Sequence, residues 1–245
     1  MHQNTANATF QVCCDTSCGS GFSFMRDDVV VTNLHVVANF IDQQTMRPLG
    51  IPILITEAGQ QLQAHIRHVD GENDYAILQL ISPLPDGRCI LQPSSTFNRL
   101  RGTQLIFAGY PHGIPQLLTN EAILSAPLEH DRFALDGMVN GGNSGGPIVD
   151  RDSGEVVGIV TQRRFLLRNE AESFNHEIQA FRSVIAHQQQ VGGVAYGNID
   201  FGQVMDLLGR SLQITSCMLS QNANSGIGIG FSIQPVVEAV NGLSW

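Results

Sequence analysis

Apolar residues along this chain fall into short runs that alternate with polar ones and are broken by Gly, Pro, Asn and Asp. That is the period of half-buried β-strands, not of long helices. In the first third, strands are predicted at Phe10–Val12, Ser20–Arg26, Val29–Asn33, Ile51–Thr56, Gln61–Val69 and Tyr75–Ile81. Asp27-Asp28 makes one turn, Glu57–Gln60 another, and the polar stretch Asp70–Asn73 leads to Asp74 at the head of the last strand. A single helical turn is expected at His35–Ala38. About six strands of this length suit one small antiparallel barrel. Ser82–Arg101, rich in Pro, Ser and Gly, reads as a linker. A second set follows at Gln104–Gly109, Leu117–Ala126, Arg132–Leu135, Pro147–Val149, Val156–Thr161 and Ile227–Ile233. Pro235 then opens a short helix, Val236–Val240, at a position where its missing N–H costs nothing.

Between Arg163 and Ser225 the periodicity changes. Phe174, Ile178, Phe181 and Ile185 recur at helical spacing within the otherwise polar Glu170–Gln190. Asp200 can cap a second helix that runs through Leu212 with Val204, Leu207 and Leu208 on one face. Gly192-Gly193 and Tyr196-Gly197 separate the two. The expected organisation is a disordered tail at 1–9, a first barrel at 10–90, and a second barrel at 91–245 that carries a helical insertion at about 164–225. The fold class is all-β: two six-stranded antiparallel barrels with that insertion and a short C-terminal helix.

Composition narrows the function. The chain has 245 residues, 42% of them hydrophobic and only 14% charged, which indicates a packed core. Its 22 acidic residues face 13 basic ones, all arginine, for a net charge of −9. Nucleic acid is therefore not expected as a partner, since phosphate binding needs a basic surface. The apolar runs are too short to span a bilayer, and MHQNTANATF lacks the basic and apolar regions of a secretory signal. A cytoplasmic location is expected, with no membrane contact. Five cysteines are present, and the odd count points to reduced thiols. Cys13, Cys14 and Cys18 lack the second pair that a structural zinc site requires, so no metal is expected. They read instead as small buried apolar side chains on a strand and its turn.

The candidate chemistry centres on GNSGGP, Gly142 to Pro147. Ser144 sits in a turn of small residues that leaves its hydroxyl open to a substrate. A serine hydroxyl needs a base within hydrogen-bond reach and a third group to orient that base. His35, in TNLHVV, follows an apolar strand, and Asp74, in NDYAILQL, precedes another. Asp70 and Glu72 are competitors, but neither directly precedes the strand as Asp74 does.

Six segments in order, GSGFSF, TNLHVV, DYAILQL, GNSGGPIVD, GEVVGIVT and GIGFSI, resemble the trypsin/chymotrypsin-fold serine proteases, and among them the high-temperature-requirement (Deg-like) branch. The departures are the segment between Arg163 and Ser225 and the absence of a following PDZ-type domain. The resemblance implies a serine endopeptidase with a trypsin-like double barrel and no cofactor. Ser144 would be the nucleophile, His35 the general base and Asp74 its orienting partner. The main-chain N–H groups of Gly142 and Ser144 would form the oxyanion hole. Asn143 replaces the aspartate that pairs with a newly cut N-terminus in animal proteases, so activation by that route is not expected. The family's pocket floor lies at Met138, with Val160, Gly230 and Ser232 at wall positions, which implies an apolar pocket for Leu, Met, Val or Phe. Thr161, Gln162 and Arg163 match the edge strand that pairs with an extended peptide. The insertion is expected to gate the cleft, dock a regulatory protein or cap the barrel. The competing reading is a peptide- or partner-binding module without turnover.

Overall fold

In the computed structural model the predicted strands close into two barrels. The structure describes all residues except 16, 43, 96–99, 113, 164–167, 192–194, 198 and 223–225. They form two units, Met1–Arg164 with Gly226–Trp245, and Phe165–Ser225.

The first unit holds both barrels. Barrel one contains β1 (Thr9–Cys14), β2 (Ser17–Ser23), β3 (Val29–Thr32), β4 (Ile53–Ile55), β5 (Gln61–Asp70) and β6 (Tyr75–Leu80), closed in the order β1-β2-β3-β6-β5-β4. Barrel two contains β7 (Gln104–Gly109), β8 (Leu118–Pro127), β9 (Arg132–Asp136), β10 (Pro147–Asp150), β11 (Val156–Arg163) and, after the second unit, β14 (Ile227–Ser232), closed as β10-β11-β14-β9-β8-β7. All pairings within the two barrels are antiparallel. β5 shows why alternation reads as strand: Leu62, Ala64 and Ile66 are buried while the residues between them are exposed.

Each barrel has its own interior. Phe10, Val12, Val30, Leu54 and Leu78 fill the first, and Leu105, Phe107, Phe133, Leu135 and Ile148 the second. A third cluster joins them: Phe22, Phe24, Val29, Val31 and Ile77 meet Ile106, Val149, Val156 and Ile159. β3 is covered on both faces, Val30 toward the barrel interior and Val29 and Val31 toward the other barrel. That is why it reads as an unbroken valine run. The C-terminal helix α5 (Gln234–Gly242) seals the same cluster with Val236 and Val240.

Two expectations are corrected in this unit. Residues 1–9 are not a disordered tail, because His2–Ala8 form helix α1 with Thr5, Ala6 and Ala8 buried. Ala6 packs with Ala108, Tyr110 and Leu117, and the Thr9 hydroxyl donates to the Thr5 carbonyl at 2.7 Å, which ties the helix end to β1. The thiols are not all reduced either. Cys13 and Cys18 face each other in the β1–β2 register, 4.2 Å apart at Cα, and form a disulfide. Cys14, next in sequence and therefore on the opposite face, is a buried free thiol in the barrel core, as expected. Burial, helped by Asp15, pushes its pKa up to about 12, so it is inert at neutral pH.

The second unit contains α3 (Arg168–Val191) and α4 (Phe201–Asn222), packed against each other. A small ribbon, β12 (Ala195–Tyr196) with β13 (Ile199–Asp200), lies between them in sequence. Ile178 and Ile185 are buried, whereas Phe174 and Phe181 of the same stripe are largely exposed. Asp200 caps α4 as its sequence position suggests, its Oδ1 accepting from the N–H groups of Gly202 and Gln203 at 2.8 and 3.3 Å. Both ends of the expected insertion, at 164 and 225, lie outside the described residues.

Candidate active site

His35 lies on α2 (Leu34–Val37), a single turn at the end of β3, and Asp74 lies in the turn before β6. Because β3 and β6 are neighbours in barrel one, the two meet. Asp74 Oδ2 is 2.7 Å from His35 Nδ1, and its Oδ1 accepts from the His35 main-chain N–H at 3.0 Å. The main chain of Asp74 is clamped as well, its carbonyl accepting from Asn33 Nδ2 at 2.7 Å and from the Leu34 N–H at 3.2 Å. Asp74 takes a left-handed φ of +50°, a conformation that asparagine and aspartate tolerate best. Burial raises the pKa of its carboxyl. The bond from the His35 ring, the attraction to that ring, and the bonds from the His35 main chain and Thr161 outweigh burial and hold it below its ordinary value.

Ser144 stands in the turn between β9 and β10. Its carbonyl accepts from the Ser20 N–H of barrel one at 2.8 Å, and the next amide, Gly145 N–H, donates to Val160 of β11 at 2.8 Å. The Ser144 turn is thus bonded to both barrels. Ser144 Oγ donates to the Thr161 carbonyl at 3.2 Å, while the Thr161 hydroxyl donates to Asp74 Oδ2 at 2.9 Å. Thr161 therefore touches both halves of the site. Among the described contacts no hydrogen bond joins Ser144 Oγ to His35. In catalytic sites without substrate such bonds are often long or misaligned and tighten only in the complex.

The two N–H groups expected to form the oxyanion hole, those of Gly142 and Ser144, have no hydrogen-bond acceptor among the described residues. The amide between them does: Asn143 N–H donates to the Asn140 carbonyl at 3.1 Å. Gly142 has a φ of +93°, and a Cβ there would lie 2.2 Å from the Tyr110 carbonyl, so only glycine fits. Asn143 is buried, and its Oδ1 accepts from the Asn140 N–H at 3.2 Å, which folds the loop back on itself.

A family profile described as the trypsin-like peptidase domain matches residues 19–159, which span His35, Asp74 and Ser144. The chain belongs to the trypsin-like peptidase family. A "probable periplasmic serine endoprotease DegP-like" of Brucella suis is 32% identical over 150 residues, and the match covers 58% of this chain but 27% of that protein. Serine protease HTRA1B of Danio rerio is 29% identical over 153 residues, 58% of this chain and 30% of that one. The match thus spans less than a third of these relatives' length. Among solved structures, the serine endoprotease from Yersinia pestis superposes with a TM-score of 0.54 at 21% identity, over 67% of this chain and 58% of that one. Rv3671c of M. tuberculosis H37Rv, a serine-to-alanine mutant in an inactive form, gives 0.52 at 22% identity over 65% and 77%. These two likenesses concern the fold.

In this trypsin-like peptidase the positions expected to set specificity differ in burial. Met138, expected at the pocket floor, is 60% exposed. Its neighbour Val139 is the buried one, close enough to β14 that a Cβ on Gly228 would lie 2.3 Å from its Cγ2. Val160, Gly230 and Ser232, expected at wall positions, are buried on β11 and β14. The side chains of Gln162 and Arg163 lie outside the described residues, but their main chains pair with Ile229 and Gly228. β10 pairs with β11 only between Val156 and Ile159, so beyond Val160 the β14 side is the paired one. Sequence reading missed the hydroxyl of Thr161 as a partner of Asp74; a hydroxyl residue at the start of the edge strand was the only hint.

Proposed function

We propose that this chain is a serine endopeptidase that works through an acyl-enzyme. The observation that carries the reading is the convergence at Thr161, which bonds the Asp74 of the His35–Asp74 pair through its hydroxyl and Ser144 through its carbonyl, beside two acceptor-free amides. In this reading Ser144 Oγ turns from Thr161 to His35 Nε2, gives up its proton there and attacks the scissile carbonyl. The N–H groups of Gly142 and Ser144 hold the oxygen as it becomes negative. His35 then passes the proton to the leaving amine, and a water, activated by the same ring, releases the acid. Asp74 keeps the ring in the tautomer that leaves Nε2 free as acceptor.

The substrate is an extended peptide paired along Thr161–Arg163, with an apolar residue at the scissile position, since Met138 and not a carboxylate stands at the expected pocket floor. Regulation by a bound protein at the α3–α4 pair belongs to the same reading, supported by the exposed Val184, Leu207 and Ile214. Among the described residues no helix is long and apolar enough to cross a membrane. The disulfide favours an oxidising compartment over the cytoplasmic setting expected from sequence. Alkylation of the unfolded protein is expected to spare Cys13 and Cys18 without reductant and to modify both after reduction. Modification of both without reductant, in samples from freshly lysed native cells, would restore the cytoplasmic assignment.

The bond from Ser144 Oγ to Thr161, in place of His35, favours one second reading, a peptide-binding module without turnover. A fluorophosphonate probe separates the two. Labelling of the wild type but not of Ser144→Ala, with cleavage of a mixed peptide library after Leu, Met, Val or Phe, is the expected result. Peptide binding with neither labelling nor cleavage selects the binding module, and cleavage after Arg removes the apolar pocket.

A further inference from the structure

His112, in the loop that follows β7, is assigned no role by the triad. It nevertheless touches the Ser144 loop twice and β2 once. Its main-chain N–H donates to the Gly141 carbonyl at 2.7 Å. Its ring Nε2 lies 3.1 Å from the Cys18 carbonyl on β2, an acceptor only, so the ring carries its proton there. Its ring also lies flat enough against the loop that a Cβ on Gly141 would come within 3.0 Å of Nδ1, and one on Gly142 within 2.8 Å of Cδ2.

The first contact bears directly on the oxyanion hole. In a trans peptide the C=O and N–H point in opposite directions. Holding the Gly141 oxygen on the His112 side therefore turns the Gly142 N–H away from His112. The following peptide is held too, since the Gly142 carbonyl accepts from Ser20 Oγ at 2.7 Å and Ser20 Oγ accepts from the Tyr110 N–H at 2.9 Å. Cys18 itself is anchored by the disulfide to Cys13.

We propose that His112 is a positioning residue for the oxyanion hole. Its ring, latched to the disulfide-closed β1–β2 hairpin, fixes its own main chain, and that main chain fixes the Gly141–Gly142 peptide with the Gly142 N–H presented to substrate. This deepens the endopeptidase reading and rests on it. The ring acts through the loop and never meets the substrate.

Three variants test the latch. His112→Ala removes the ring, His112→Phe keeps bulk without a donor, and His112→Gln returns an N–H at similar reach. With a peptide substrate, Ala and Phe are expected to lower kcat about ten- to a hundredfold with KM changed less than about twofold. That is less than the hundred- to thousandfold typical of deleting an oxyanion donor outright. Gln is expected to recover most of the loss. Amide exchange, measured in a Ser144→Ala background so that it does not depend on turnover, should quicken at residue 112 and Asn143 in Ala and Phe but not in Gln. Wild-type kcat and exchange in His112→Ala would overturn the proposal, as would losses confined to KM or equal in all three variants. A wild type that is not labelled and does not cleave removes the endopeptidase reading alone, because the exchange rates still decide whether His112 orders the loop.

Discussion

Asp74→Asn is expected to lower kcat about ten-thousandfold with KM little changed, measured on a peptide substrate after the labelling test has identified one. The carboxylate accepts twice from His35, at the ring and at the main chain, and once from Thr161. An asparagine can accept through one atom only and presents N–H to one of these partners. If it meets Nδ1 with its N–H, the ring must carry its proton on Nε2, where it can no longer take one from Ser144. The fold should survive, because asparagine tolerates the φ of +50° as well as aspartate does. A second readout follows from the lowered pKa of Asp74. A group held below its ordinary 3.8 in the folded protein contributes stability that is present above that value and lost as pH falls through the lower folded value. Urea midpoints of the variant should therefore fall less steeply than wild type below about pH 4. Some slope remains, from Asp28, Asp42 and Asp70, whose carboxyls hydrogen bonds also hold low. A loss of kcat under about tenfold would mean that the His35–Asp74 pair does not supply the base.

Both barrels were legible because strand alternation is a local signal. β5 and the valine run of β3 declare themselves within a few residues, and GNSGGP marks its own turn. What sequence did not show depends on partners far along the chain. Helix α1 has no apolar stripe. Its buried face is Thr5, Ala6 and Ala8; Ala6 is covered by Tyr110 and Leu117, and Ala8 by the cluster between the barrels. The disulfide needs the β1–β2 register, which five cysteines do not specify. Met138 was placed by counting back from Ser144. The chain turns tightly there, with the Val139 N–H donating to the Gly137 carbonyl at 2.8 Å, and it leaves Met138 exposed and Val139 buried. The two contacts of Thr161 and the three of His112 join segments tens of residues apart, and neither residue type announces them.

Gly145→Ala is expected to lower stability by about 4 kcal/mol and to abolish labelling of Ser144, whereas Gly141→Ala should cost less than about 1 kcal/mol. The contrast comes from what stands opposite each glycine. Gly145 has a φ of +86°, so any Cβ is strained before it touches anything. That Cβ would then lie 2.1 Å from the Ser20 carbonyl, 2.4 Å from Thr32 Oγ1 and 3.0 Å from the Asn33 main-chain nitrogen. None of these can retreat. The Thr32 hydroxyl donates to the Ser20 carbonyl at 2.6 Å, and Asn33 is held by its bond to Asp74. On the other side, the Gly145 N–H is bonded to β11. The turn after Ser144 is thus wedged between the barrels, and relief means pushing β2 and the His35–Asp74 pair away from Ser144. Gly141 has no left-handed φ, and its nearest neighbour is the ring of His112, at 3.0 Å, which need yield only a few tenths of an ångström. Urea unfolding of the two variants measures the difference. Equal tolerance would mean that the turn is free to move between the barrels, and the alignment of Ser144 with His35 would then have to come from substrate instead of from the glycine packing.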